Sequence, residues 1–208
     1  MLPLSIETRL AQPAMIENNF INYLTMAQLP INQSKSIAYQ SLYHQKNVGG
    51  RTQAQFFTGN FENENTNIDT GSFVRPQSEH FLIYGIKVWD AVYNPPEAGT
   101  NFPQLLKGAY AVDNNANAGE IDASIANATY DIIINGIRVI KSMPLIYHDN
   151  TLVTGQRGEI SLSQPLLWMG QSELQLNVSC NATTNPFPDN TTEFETALRF
   201  ELIGIGLI

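Results

Sequence analysis

The chain is predicted to fold as an all-β, antiparallel β-sandwich with one N-terminal helix, on three observations. Beyond Pro30 the apolar residues recur with a period of two. The runs carrying that period are rich in β-branched and aromatic residues. Clusters of Asn, Asp, Gly and Pro separate the runs. The 208 residues are enough for one β domain with a sizeable core. Residues 1–30 are therefore read as a helical arm and 31–208 as a single sandwich domain.

The helix comes first. Ile16, Phe20, Tyr23, Leu24 and Ala27 recur at three- and four-residue spacing; Pro13 suits a first helical position, Glu17 the first turn, and Pro30 ends the run. Its apolar stripe has two readings, a helix laid over a sheet edge or an arm docked on a neighbouring subunit. Short strands follow near 36–43 and 54–59. The run HFLIYGIKVWDAVY, residues 80–93, is apolar in both phases, as a central strand buried on both faces would be. TYDIIINGIRVIKSM, residues 129–143, is read as another long strand. Residues 173–180 alternate, with Leu174, Leu176, Val178 and Cys180 on one face and Gln175, Asn177 and Ser179 on the other. In the C-terminal run Leu198, Phe200 and Leu202 oppose Arg199 and Glu201. Gly204 and Gly206 then leave one face of the pleat bare, allowing a close approach or a bulge.

Turn chemistry falls at 60–71, 94–99, 113–119, 149–158 and 183–190. The span between Tyr93 and Thr129 is long for a loop, and residues 102–110 are expected to supply a short helix or extra strand there. Long, irregular connections between strands make the jelly roll the expected topology within the sandwich class. Gly85-Ile86-Lys87-Val88 and Gly136-Ile137-Arg138-Val139 share the form Gly-Ile-basic-Val. This echo is expected to place each glycine in mid-strand and to point each basic residue at solvent or a partner.

Composition narrows the function. Charged residues are 14% of the chain, well below the usual ~25%. Asn, Gln, Ser and Thr number 61. An amide-rich, charge-poor surface suits packing against other copies or reading a polar ligand. It suits nucleic acid poorly, since a net charge of −8 repels phosphate. No apolar run approaches the length of a membrane span, and the first ten residues do not read as a signal peptide. The chain is thus expected to be made and kept in a cytoplasm, or in particles assembled there. One cysteine, Cys180, excludes an intramolecular disulfide and a multi-cysteine zinc site. The Asn-x-Ser/Thr triplets at Asn32, Asn127, Asn177, Asn181 and Asn190 are attributed to the abundance of Asn and Thr rather than to glycosylation.

No catalytic motif is present, and the chain is not expected to be an enzyme or to bind a cofactor. His44, His80 and His148 form no His-x-His or His-Glu-x-x-His pattern and are read as surface or edge residues. A cupin-like metal site would require at least two of them to converge. The nucleophile elbow, the phosphate-binding loop and the dinucleotide fingerprint are all missing. Cys180 sits in the apolar phase of its strand and reads as an inert thiol. Glu62, Glu64 and Asp69 are read as a solvated acidic loop rather than a calcium loop, and Glu193 and Glu195 as exposed. Trp89, Tyr93, Tyr147 and Trp168 are candidates for a sugar-stacking platform, with core packing as the competing reading.

The stretch FFTGNFENENTNIDTGSFVRPQSEHFLIYGIKVW resembles jelly-roll structural proteins of bacteriophage virions in its order of elements. There, a polar Asn/Thr-rich segment leads through a short Pro-containing link into a strand with a Gly-Ile-basic-Val core. The closing LRFELIGIGLI is similar to the last strand of such coat proteins. The two stretches that carry the resemblance make up 45 of the 208 residues. It implies self-assembly into a shell, or attachment to one, and transfers no catalytic residue. Low charge fits, because it limits repulsion between packed copies and the desolvation of ions at interfaces. The expected partners are copies of the chain and other capsid proteins. Ile16, Phe20, Tyr23 and Leu24 on the helix, with Gly204 and Gly206, are the candidate subunit contacts. The competing function is a carbohydrate- or receptor-binding β-sandwich.

Overall fold

The fold was obtained as a computed structural model, which describes residues 13–29, 36–48, 50–57, 65–68, 75–77, 79–93, 127–148, 159–180, 189–190 and 194–207. Among the described residues one helix, α1 (Pro13–Met26), precedes ten strands: β1 (Ile37–Asn47), β2 (Gln53–Phe56), β3 (Asn65–Thr66), β4 (Phe81–Tyr93), β5 (Thr129–Ile134), β6 (Ile137–Pro144), β7 (Glu159–Trp168), β8 (Leu174–Ser179), β9 (Asp189–Asn190) and β10 (Phe194–Leu207). A 3-10 turn, Leu145–His148, follows β6. The helix or strand expected at 102–110 falls outside the described residues. No helix among the described residues is long and apolar enough to cross a membrane.

The all-β sandwich is as expected. One sheet has the order β3-β1-β10-β4-β7, with β9 also on β10, and the second has the order β2-β8-β5-β6. Every pairing is antiparallel. The pairs β1–β10, β2–β8, β4–β7 and β5–β6 join early strands to late ones in nested order. Among the described residues these nested pairs alternate between the two sheets, and the innermost, β5–β6, is a hairpin. Leu42, Ile83, Ile86, Leu198, Phe200 and Leu202 from the first sheet meet Phe56, Tyr130, Ile132, Leu174, Leu176 and Val178 from the second in one buried cluster.

That hairpin turns on Asn135-Gly136, both at positive φ, 50° and 76°. This is the backbone of a two-residue hairpin loop, which Asn and Gly adopt most readily. It corrects the reading of 129–143 as one strand. It also separates the two Gly-Ile-basic-Val tetrads, since Gly85 lies within a strand and Gly136 in a turn. Strand β7 was not expected at all. Pro165 interrupts its pattern, but β7 is an edge strand, and its pairing with β4 shifts register between Ile83 and Gly85, opposite Ser161 and Leu166. The proline thus sits in a bulge, where no ladder donor is needed.

Helix α1 lies on the outer face of the first sheet rather than over its edge. Phe20 and Leu24 are fully buried with Leu82, Ile205 and Leu207, and Leu29, Ile37, Tyr84 and Leu167 pack around them. The helix stops before Pro30. Leu29 N–H donates to Leu24 C=O at 2.9 Å and Gln28 N–H to Thr25 C=O at 3.0 Å, with Gln28 at φ 54°. This is a Schellman cap with Gln in the left-handed position that glycine usually fills.

Gly204 and Gly206 face inward against the chain's own Phe81. A Cβ on Gly204 would stand 2.3 Å from Leu82 O and 2.7 Å from the Phe81 ring, and one on Gly206 would be 2.9 Å from that ring. The bare pleat is a seat for an aromatic side chain of the neighbouring strand. Gly204→Ala should lower unfolding free energy by about 2–3 kcal/mol through this backbone clash. Gly136→Ala, where the added Cβ meets nothing within 4 Å, should lose only about 1 kcal/mol from its positive φ. Urea unfolding of the two variants measures the difference.

Candidate functional site

The three histidines are buried, correcting their assignment to the surface: His44, His80 and His148 are 0%, 1% and 4% exposed. His44 Nδ1 accepts the Phe57 N–H at 2.7 Å. Phe57 stands at φ 59°, an unusual conformation for a bulky residue. The turn brings it inward beside Phe56, although consecutive strand residues would point to opposite faces. His44 then meets both rings edge-on, with centroids 5.6 Å away in each case. His148 Nε2 is hydrogen-bonded to Tyr130 OH at 2.9 Å, and His80 Nδ1 accepts the Gly170 N–H at 3.0 Å.

These contacts form one aromatic chain through the core. Phe56 and Tyr130 both pack on Phe200, with centroids 4.9 Å and 5.5 Å away. His44 and His148 close the two ends. Burial pushes the Tyr130 phenol well above its ordinary range. The imidazoles are therefore built into packing, and no group of three His, Cys, Asp or Glu side chains among the described residues is placed to hold a metal. Cys180 is half-buried and packs against the same core.

Of the stacking-platform candidates, the structure takes Trp168 into the core. Trp168 is fully buried. Its Nε1–H donates to Ser172 O at 2.9 Å, and the Arg75 guanidinium sits 5.4 Å from both its ring and that of Phe81. Arg75 is itself buried beside Glu79; burial draws its pKa down while the carboxylate opposes the shift. Tyr147 is 64% exposed on the 3-10 turn. Trp89 and Tyr93 lie on β4, with side chains outside the described residues. Glu62, Glu64, Asp69 and Glu193 are also outside them, and Glu195 is described only as a backbone partner of Tyr93 and Asp189.

The candidate subunit contacts are redistributed in the same way. Phe20, Leu24, Gly204 and Gly206 are occupied by the chain's own sheet, which corrects their assignment to a neighbouring subunit. Tyr23 remains 38% exposed, beside Met26 at 84%. Ile16 lies within α1, its side chain outside the described residues. Burial raises the Tyr84 phenol pKa, and the neighbouring hydroxyls of Tyr39, 38% exposed, and Tyr23 raise it further electrostatically. The Tyr84 hydroxyl oxygen is buried without a hydrogen-bond partner.

Two surfaces emerge that strand alternation alone does not assemble. On the outer face of the first sheet, register aligns Tyr43, Glu201, Lys87 and Glu159 in one row across β1, β10, β4 and β7. Arg199, one position along, is buried, ion-paired with Glu201 and 3.9 Å from the Tyr43 ring. This is a charge network in which Glu201 is engaged by a guanidinium. The outer face of the second sheet carries rows of polar side chains in which Asp131, beside Arg138, is the charged member. Gln55, Asn177 and Asp131 form one row, and Gln53, Ser179 and Thr129 the next. The amides thus line strands as well as loops. Alternation marked Arg199, Glu201 and Asn177 as outward-facing, but only register makes the rows.

Comparison with protein-family models and with curated proteins finds no match to this chain.

Tyr130 gives a pH-dependent prediction. Its folded pKa is raised above the unfolded 10.0, so its contribution is complete below pH 10 and is lost as pH climbs toward the folded value. Stability should fall above pH 10 by up to about 1.4 kcal/mol per pH unit from this group. Tyr130→Phe should remove that part of the slope in alkaline urea titrations. At neutral pH it should cost about 1–2 kcal/mol, because the buried His148 nitrogen loses its partner.

Proposed function

We propose that this chain is a structural subunit of a virus particle, of the jelly-roll kind found in bacteriophage virions. It works by self-assembly and subunit contacts, without catalysis. The observation that carries the reading is the nested pairing: β1-β10-β4-β7 facing β2-β8-β5-β6 is the order produced when four antiparallel strand pairs are wound into two sheets. That order supports the jelly-roll topology expected from the long connections.

The surface chemistry agrees with this reading. The rows on the outer face of the second sheet are mainly amides and hydroxyls, which can exchange water for a neighbour's polar groups without desolvating ions. The buried histidines and the ion-paired Glu201 are employed in structure and packing. A net charge of −8 favours a position away from a packaged genome, as an outward-facing, penton or decoration subunit. Assembly in the host cytoplasm and residence in the virion follow from the same proposal. The glycan-binding alternative loses Trp168, which is buried in the core.

Light scattering coupled to size-exclusion chromatography tests the proposal. The expected result is a closed homo-oligomer, or a monomer that binds empty capsids. A monomer at all concentrations with no capsid binding refutes it.

A further inference from the structure

Asparagine is a chemically labile residue, and of the chain's 21 asparagines Asn135 alone precedes a glycine. The pair forms the turn of the β5–β6 hairpin, where both residues are exposed. A Cβ on Gly136 would meet nothing within 4 Å, so water has access to the peptide between them. The nitrogen of that peptide can reach the Asn135 amide carbon once the backbone leaves the turn. Attack within one chain gains an orientation that a bimolecular reaction lacks. Glycine obstructs neither the approach nor the backbone rotation.

The closed turn, with Asn135 at φ 50° and Gly136 at 76°, holds the two groups back. The surrounding fold makes opening easy. Strand β6 is the edge of the second sheet, paired with β5 on one side. That pairing shifts register between Tyr130 and Ile132 and again between Ile132 and Ile133, and Ser142 stands at φ 49°. Ile137, Arg138 and Val139, directly after the turn, are exposed. A hairpin end with a broken ladder and few buried side chains opens locally at low cost.

We infer that Asn135 is a site of self-modification, at which its carboxamide is converted to a carboxylate, in part as isoaspartate. The Gly136 nitrogen bonds to Asn135 Cγ, the Cγ–Nδ2 bond breaks, and ammonia departs with the proton that Gly136 loses. Water then adds to a carbonyl of the resulting succinimide, whose C–N bond breaks. Opening at Cγ gives aspartate; opening at the main-chain carbonyl gives isoaspartate, with the chain running through Cγ. Nothing is oxidised or reduced, and water is the co-reactant. Isoaspartate places Cβ in the backbone of a two-residue loop. The pairing of Ile134 with Ile137 and the 2.9 Å bond from Asn135 N–H to Glu173 C=O then cannot both persist. The modification thus unlatches the hairpin from the start of β8, whether or not the chain assembles.

Ageing the folded chain in mildly alkaline buffer tests the site, beside the same chain in urea and the variants Gly136→Ala and Asn135→Asp. Peptide mass spectrometry should find the amide-to-acid change at Asn135 of the folded chain, while Asn177, which precedes Val178 within β8, keeps its amide. A methyltransferase specific for isoaspartate should label the aged protein. Gly136→Ala should slow the conversion about ten-fold or more. Hydrogen exchange of the β6 amides should be faster in the isoaspartate species than in Asn135→Asp, which carries the new charge without the extra backbone atom. A folded chain that keeps its Asn135 amide while the unfolded chain converts would overturn the site. Equal rates in wild type and Gly136→Ala would overturn the part given to the glycine. Isoaspartate protein whose β6 exchanges like Asn135→Asp would overturn the unlatching.

Discussion

Strand β10 is the element on which every layer depends. It is hydrogen-bonded to β1 along one side and to β4 along the other, over nearly its whole length. Its alternation serves two cores at once. Leu198, Phe200 and Leu202 point between the sheets, while Ile205 and Leu207 point outward to helix α1. Burying such side chains is worth about 1.5–3 kcal/mol each. Losing β10 would therefore open the sandwich and release the helix together. Because the strand closes the chain, its pairing with β1 joins residues about 170 positions apart, as Ile37 opposite Leu207 shows. Contacts of that range carry a high loop-closure cost and form slowly. The local β5–β6 hairpin, with its Asn-Gly turn, needs no such closure.

Polar residues inside the fold serve shape as well as solubility. His44 holds Phe57 in a left-handed turn, so two consecutive phenylalanines enter one core. Arg75 sits against Trp168 and Phe81, while Phe81 rests on the two glycines of β10. Asn67 extends the first sheet without adding a strand residue. Its side-chain amide accepts the Tyr43 N–H and donates to Ser41 C=O, each at 2.7 Å. An amide side chain presents the same donor and acceptor as a peptide group, and here it satisfies part of the edge of β1. The abundance of Asn and Gln therefore has a use within the molecule as well as on the faces proposed to meet neighbours.

Much of the secondary structure was legible in local patterns. Strands β4, β8 and β10 followed from alternation and length, and the helix from its apolar spacing and Pro13. The inward phase of Leu174, Leu176, Val178, Leu198, Phe200 and Leu202 came from the same pattern. Three features were misread. Asn135-Gly136 was absorbed into a long apolar run, although that dipeptide is a strong hairpin signal. Pro165 concealed β7, because a proline is compatible with a strand only at an edge or a bulge, and edges are defined by neighbours. The histidines looked exposed, because a polar residue's burial depends on whether a partner awaits it. Trp168 shows the same dependence: it has the composition of a binding residue and the position of a core residue.

Periodicity, turn residues and composition sufficed for an all-β sandwich with one helix and a charge-poor surface, since these depend on neighbours a few residues away. Which strand lies beside which, and hence which side chains share a row, was decided only by the folded chain. A period of two assigns a residue to one face of a strand and says nothing of the strand across from it. The Tyr43-Glu201-Lys87-Glu159 row and the seat of Phe81 on Gly204 both arise from pairings between distant segments. The helix shows the division most simply. Its apolar stripe required a partner, and tertiary packing supplied the outer face of the chain's own sheet.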